Sequence, residues 1–242
     1  MAMTDHELAT LLATQAGELL QGLDRAKLGL KIGAEGDRLA NALLVEALRR
    51  ERPGDGLLSE EEKDSAERLR HARVWIVDPL DGTREYGEDR SDWAVHVGLA
   101  IDGVATVGAV ALPAQGVTLS SGAPLALPPA QDPPRLLVSR TRPASEAVAV
   151  ADMLGAELVP MGSAGAKAMA VVLGQAEIYL HSGGQYEWDN CAPAAVAAAH
   201  GLHVSRLDGS PLVYNQRNPY LPDLLICRQE WVEPVFAALG KL

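Results

Sequence analysis

Cysteine, aromatic side chains and long apolar runs are all scarce in this chain. Two cysteines, Cys191 and Cys227, stand far apart among 242 residues. Two thiols make neither a disulfide framework nor a zinc site, so a reducing cytoplasm is the expectation. Aromatics amount to 4%, with a single Phe, so Leu, Val and Ala must fill most of the interior. No apolar run approaches the ~20 residues of a membrane span. The opening MAMTDHELAT lacks the basic start and apolar run of a secretion signal. Basic clusters are missing as well: 21 Lys and Arg face 32 Asp and Glu, a formal net charge of -11. A chain that acidic repels a nucleic-acid backbone. It can still take a small phosphorylated molecule if local positive charge is supplied, and a bound metal is the obvious source. The rest is ordinary for a globular protein, 48% hydrophobic and 22% charged, with length for one large domain or two packed halves.

Periodicity divides the chain. Thr4 and Glu7 have the spacing of a capping box, and Leu8, Leu11, Leu12, Leu19 and Leu20 repeat at helical intervals. A glycine-containing connection is expected from Gly22 to Gly36. A second helix then carries Leu39, Leu43, Leu44 and Leu48 and stops before Pro53-Gly54. Val74-Trp75-Ile76-Val77 is an apolar run ended by Asp-Pro, the pattern of a buried strand. Residues 93–101, 104–112 and 117–120 read as consecutive strands, with Asp102-Gly103 as a hairpin turn. Five prolines between residues 122 and 134 mark a linker. Beyond it, strands near 136–138, 158–159, 178–180, 204 and 224–227 alternate with helices over 145–154, 163–173, 188–199 and from Glu230. The expectation is an α+β half, residues 1–130, packed tightly on an α/β half, residues 131–242. No internal repeat is present.

Chemistry concentrates around Asp78-Pro79-Leu80-Asp81-Gly82-Thr83. Carboxylates at a strand end project into the loops where α/β folds bind ligands. Taken alone, the stretch reads as a capped turn with Asp81 as N-cap. The alternative is a Mg²⁺ site, since a hard divalent cation relieves the repulsion of two acids on one turn. Gly82-Thr83 would then let backbone N–H groups approach a phosphate. Phosphatases with an aspartyl nucleophile carry Asp-x-Asp; the wider spacing from Asp78 to Asp81 disfavours that chemistry and points to a metal-activated water. Glu60 follows a Leu-Leu run and can stand at another strand end. Asp189 opens a small-residue helix, as N-cap or as metal ligand.

Two signatures, Trp75-Ile76-Val77-Asp78-Pro79-Leu80-Asp81-Gly82-Thr83 and Trp188-Asp189-Asn190-Cys191-Ala192-Pro193, with Glu60-Glu61 upstream, make the chain resemble the inositol monophosphatase superfamily of Mg²⁺-dependent, Li⁺-sensitive phosphatases. The second signature, together with Ser139-Arg140-Thr141-Arg142, Gly162-Ser163-Ala164-Gly165-Ala166-Lys167 and the stretch Asp208-Gly209 to Tyr214, resembles its CysQ-type 3'(2'),5'-bisphosphate nucleotidase branch. The wording of residues 163–171 and 209–216 looks actinobacterial.

The resemblance implies a layered α-β-α-β-α sandwich. It implies removal of the 3'-phosphate of adenosine 3',5'-bisphosphate, or of its phosphosulfate analogue, in sulfur assimilation. Two or three Mg²⁺ would be held by Glu60, Asp78, Asp81, Asp189 and the carbonyl of Leu80. Gly82 and Thr83 would hold the phosphate, and Asp37 and Thr83, with Glu60, would activate water. Ser139, Arg140, Ser163, Lys167 and Asp189 would contact substrate, with Arg142 a further candidate. A cytoplasmic homodimer is the family habit. Two departures stand out: Ala34 where the family carries Thr, and Arg142 where the branch carries His. Alternatives are a broad phosphatase for inositol 1-phosphate or fructose 1,6-bisphosphate, and a non-catalytic metal-dependent binding protein. Lys167 reads equally as a solvated helix residue, and Arg140 as a loop surface charge. His181 reads as a hydrogen-bonded strand-end residue. The other histidines, His96 among them, show no metal spacing.

Overall fold

The computed structural model describes residues 3–242. Thr4 caps α1 (Asp5–Gln21): its hydroxyl accepts from the Glu7 N–H at 3.2 Å, and the Glu7 carboxylate accepts from the Thr4 N–H at 2.8 Å. Both ends of the capping box are thus closed. The expected connection from Gly22 to Gly36 is largely helical. It holds α2 (Arg25–Leu28) and a 3₁₀ turn, and α3 (Ile32–Glu51) begins early enough to take in Gly33 and Gly36. Glycine weakens a helix, but here contact overrides propensity. A Cβ on Gly33 would lie 2.9 Å from the Thr83 methyl, so only a bare backbone lets α3 pass this close to Thr83.

The first sheet has the order β1 (Gly56–Ser59), β2 (Arg73–Asp81), β3 (Ala94–Ile101), β4 (Val104–Leu112), β5 (Val117–Ser120). β1 runs parallel to β2 and the rest is an antiparallel meander. The strand expected to stop at Asp-Pro continues to Asp81, with its pairing shifted between Asp78, opposite His96, and Asp81, opposite Ala94. Pro79 has no N–H for the ladder, so the strand bulges there and re-aims its carboxylates. The 102–103 turn has φ of 50° and 81°, as a two-residue hairpin demands. α4 (Thr83–Gly87) follows β2 directly.

Residues 121–134 cross without helix or strand to a second sheet. It consists of β6 (Arg135–Ser139), β7 (Glu157–Met161), β8 (Ile178–Tyr186), β9 (His203–Ser205) and β10 (Tyr220–Cys227), in the order β7-β6-β8-β10-β9. β6 is parallel to β7 and β8; β10 is antiparallel to β8 and β9. The helices are α5 (Ser145–Leu154), α6 (Ala164–Val172), α7 (Glu187–Ala199) and α8 (Val232–Leu239). α1 and α3 bury Leu8, Leu12 and Leu44 against Trp75 and Val97 of the first sheet. α6 and α7 fill the space between the sheets with Ala168, Met169 and Val196. α5 and α8 cover the far face with Val150 and Val235. The result is the α-β-α-β-α layering. No described helix is long and apolar enough to cross a membrane. The strand ends of β1 and β2 and the first turns of α4, α6 and α7 meet at one cleft.

Candidate active site

The bulge in β2 brings its two aspartates inward. Asp78 is 1% exposed, and its Oδ1 accepts from the Leu80 N–H at 3.0 Å. Asp81 does not cap α4. That position belongs to Gly82, whose φ of 89° only glycine adopts readily. The Asp81 carboxylate instead accepts the first N–H groups of α6, from Ala164 at 3.2 Å and Gly165 at 2.6 Å. Glu60 follows β1, beside β2, with its N–H donating to the Val77 carbonyl at 3.3 Å.

His96 joins this group. It is fully buried, its Nδ1 is 3.0 Å from the Trp188 carbonyl, and its Nε2 stands 3.2 Å from Asp81 Oδ2. The approach to Asp81 is an ion-pair contact without hydrogen-bond alignment. Asp78, Asp81 and His96 offer ligand atoms that all lie within 4.8 Å of one another, the one such group among the described residues. His96 has no motif to announce it. The available signal was a histidine inside an apolar strand whose register sets it opposite Asp78.

On the other wall, Asp37 of α3 is buried, with Oδ1 unpartnered. The Thr83 hydroxyl lies 3.4 Å from Asp37 Oδ2 and 3.1 Å from the Leu80 carbonyl. Asp189 is the third residue of α7 rather than its N-cap, and its Oδ2 accepts from the Tyr186 N–H at 2.6 Å.

A cleft of about 510 Å³ opens over Asp81, Gly82 and Asp189, walled by Ser139, Arg140, Arg142, Ser163, Lys167 and His181. Ser163 caps α6 by accepting from the Ala166 N–H at 2.9 Å. Lys167 is buried, not solvated. Its ammonium donates to the carbonyls of Gly162 and, at 2.8 Å, Ser163. Arg140 is no free surface charge: one of its amino groups donates to Glu85 at 2.7 Å and to Glu88 at 2.9 Å. Arg142 is exposed. The His181 Nε2 lies 3.1 Å from the Gly184 carbonyl.

Charge in the cleft is out of balance. Burial, then the charges of Glu60, Asp81, Asp189 and Asp37, push Asp78 well above the usual carboxylate range. Burial first, and neighbouring carboxylates second, push Asp37 and Asp189 up to about 7. Glu60 is raised by loss of solvent around its carboxyl and by Asp81 and Glu61, although part of its side chain reaches water. Asp81 is the exception: burial acts upward, but His96 and the Gly165 N–H hold it below its ordinary value. Burial lowers Lys167 to about 8, against the pull of Asp81 and Glu85. Acids so close that they suppress one another's ionisation, offering oxygen donors only, fit a hard divalent cation.

The pattern of the inositol monophosphatase family matches residues 7–234. The chain is 51% identical to the 3'-phosphoadenosine 5'-phosphate phosphatase of Mycobacterium leprae (strain TN), covering 94% of this chain and 90% of that one. It is 32% identical to the 3'(2'),5'-bisphosphate nucleotidase CysQ of Escherichia coli (strain K12), over 76% of this chain and 80% of that one. The fold matches the crystal structure of CysQ from Bacteroides thetaiotaomicron with a TM-score of 0.78 at 24% identity, covering 92% of this chain and 96% of the other. A pattern spanning nearly the whole length, with relatives of this identity and coverage, makes the chain a member of the inositol monophosphatase family.

Proposed function

We propose that the chain is a Mg²⁺-dependent phosphatase that removes the 3'-phosphate of adenosine 3',5'-bisphosphate, leaving AMP. The observation that carries the chemistry is the crowd of carboxylates gathered around the end of β2, Asp78, Asp37 and Asp189, raised by burial and then by one another. The substrate is supported by 51% identity to a relative named for 3'-phosphoadenosine 5'-phosphate. In this reading Glu60, Asp78, Asp81, Asp189 and the Leu80 carbonyl hold the Mg²⁺. When bound, the cation neutralises the cluster, draws charge from the phosphoryl oxygens and lowers the pKa of water.

The chain's own groups do the rest. Thr83 has one hydroxyl proton and two carbonyl-type acceptors within reach, Leu80 O and Asp37 Oδ2. Donating to either leaves its oxygen free to accept a hydrogen from an incoming water and so orient it. Asp37, 3.4 Å from the Thr83 hydroxyl, is placed to take a proton handed on through that hydroxyl, with Glu60 close by. The N–H groups of Gly82 and Thr83 bind the reacting phosphate, and Ser139, Ser163, Lys167 and Asp189 wall the substrate's place. Arg140 faces the second phosphate, which must compete with Glu88 for the guanidinium. A cytoplasmic homodimer belongs to the same reading, on the family habit and on two buried, unpaired thiols.

The test compares kcat/KM on adenosine 3',5'-bisphosphate, inositol 1-phosphate and fructose 1,6-bisphosphate at matched Mg²⁺. The nucleotide is expected to lead by at least about tenfold. Equal values would overturn the substrate and leave the phosphatase. Release of phosphate from none of them would leave a metal-dependent binding protein.

A further inference from the structure

Four consecutive backbone N–H groups, from Gly162 to Gly165, lead into α6. All four find their acceptors in the first half of the chain, on only two residues. Asp92 takes the first two: its Oδ2 accepts from Gly162 at 2.7 Å and its backbone carbonyl from Ser163 at 3.1 Å. Asp81 takes the next two, from Ala164 at 3.2 Å and Gly165 at 2.6 Å. Asp92 is buried and is gripped in turn by Arg90, Nε to Oδ1 at 2.7 Å and Nη2 to Oδ2 at 2.9 Å. There is no slack in the turn, since a Cβ on Gly162 would lie 2.9 Å from the Asp92 carbonyl and collide with Glu85. From the α6 side, Lys167 fastens the carbonyls of Gly162 and Ser163.

We propose that Asp92 is a positioning residue for Asp81. It fixes the 162–165 turn, and the turn presents the two N–H groups that orient both oxygens of the Asp81 carboxylate. The inference rests on the reading of Asp81 as a cation-holding carboxylate. A ligand whose orientation is set by fixed donors binds its metal more tightly than one free to rotate, and outer partners of this kind are typically worth about 10–100-fold in affinity. Neither Asp92 nor Arg90 is needed to touch metal or substrate. Sequence separates Asp92 from the turn by 70 positions, so no local motif joins them.

A fastener that merely tied the halves together would lower stability and leave metal affinity alone. The two roles therefore separate. Mg²⁺ is titrated calorimetrically into the full-length, substrate-free protein, with circular dichroism and a melting curve on each variant. Asp92→Ala is expected to weaken Mg²⁺ binding about 10–100-fold, with Asp92→Asn and Arg90→Ala weakening it by less. A folded Asp92→Ala protein with a lowered Tm and wild-type Mg²⁺ affinity would overturn the proposal. If that variant does not fold, Asp92→Asn and Arg90→Ala carry the same two outcomes. Wild-type affinity in Asp81→Asn would sink the underlying reading of Asp81, and this inference with it. Weakened binding by Asp92→Ala in a protein inactive on every phosphate ester would keep the inference and remove the enzyme.

Discussion

Glu177 and Asp78 are buried alike, Glu177 fully and Asp78 to within 1%, yet the fold treats them in opposite ways. Glu177, just ahead of β8, accepts from the Arg135 N–H at 2.8 Å, from Arg135 Nε at 3.1 Å and Nη2 at 2.8 Å, and from the Gln131 N–H at 3.0 Å. Burial alone would raise it, but Arg135 holds it below its ordinary value. Asp78 has the Leu80 N–H and then other carboxylates for company, and is raised, by burial first and by those carboxylates second. An acid buried for architecture brings its countercharge with it. Asp78, which the proposed function assigns to a cation, is left short of positive charge that a cation can supply.

The largest effect is expected where that shortage is greatest. Asp78→Asn or Asp189→Asn should cut phosphate release at least about 1,000-fold at matched Mg²⁺. Without metal, the same variants should melt no lower than the wild type, because folding no longer has to hold back the ionisation of that acid. Near-wild-type turnover in either would erase the contrast with Glu177.

The metal-free protein should also lose stability as pH rises. Asp37 and Asp189 stand near 7 in the folded chain, above the ordinary value near 4 of an unfolded chain. Between those values the unfolded state releases protons that the folded state keeps, so the contribution of these two groups falls from about pH 4 to about pH 7. Each group contributes at most about 4 kcal/mol. Chemical denaturation across that range measures it, and Mg²⁺ should reverse the slope because it binds the ionised carboxylates. A flat profile would mean that the acids are not crowded.

Glu177→Gln should cost about 3 kcal/mol of stability by stranding Arg135, with kcat unchanged. A loss of turnover there would show that the two regions are not separable. Thr83→Ala should lower kcat about 100-fold with little change in KM. Smallest, Arg140→Ala should raise the KM for adenosine 3',5'-bisphosphate about tenfold and leave that for a monophosphate unchanged. Equal shifts for both substrates would assign Arg140 to the Glu85 contact alone.

Much of this was legible in the amino acids. The capping box of α1, the hairpin at 102–103, the meander and the linker all depend on neighbours a few positions apart, and local backbone geometry decides them. Asp78, Asp81 and Asp189 could be singled out because acids at strand and helix ends carry their context with them. The early start of α3 was not legible, because Gly33 helps only where Thr83 approaches. The burial of Lys167 was not legible either, since a lysine on a small-residue helix has no sequence mark that separates solvent from cleft.

The sequence by itself determined which carboxylates stand at the ends of which elements, and the spacing that disfavours an aspartyl nucleophile. Only the tertiary structure decided what each carboxylate faces. His96 reaches Asp81 through the pairing of β2 with β3, and the N–H groups of α6 reach it from 83 and 84 positions away. Those partners come from the stacking of two sheets around α6 and α7, which positions in the chain do not encode one at a time.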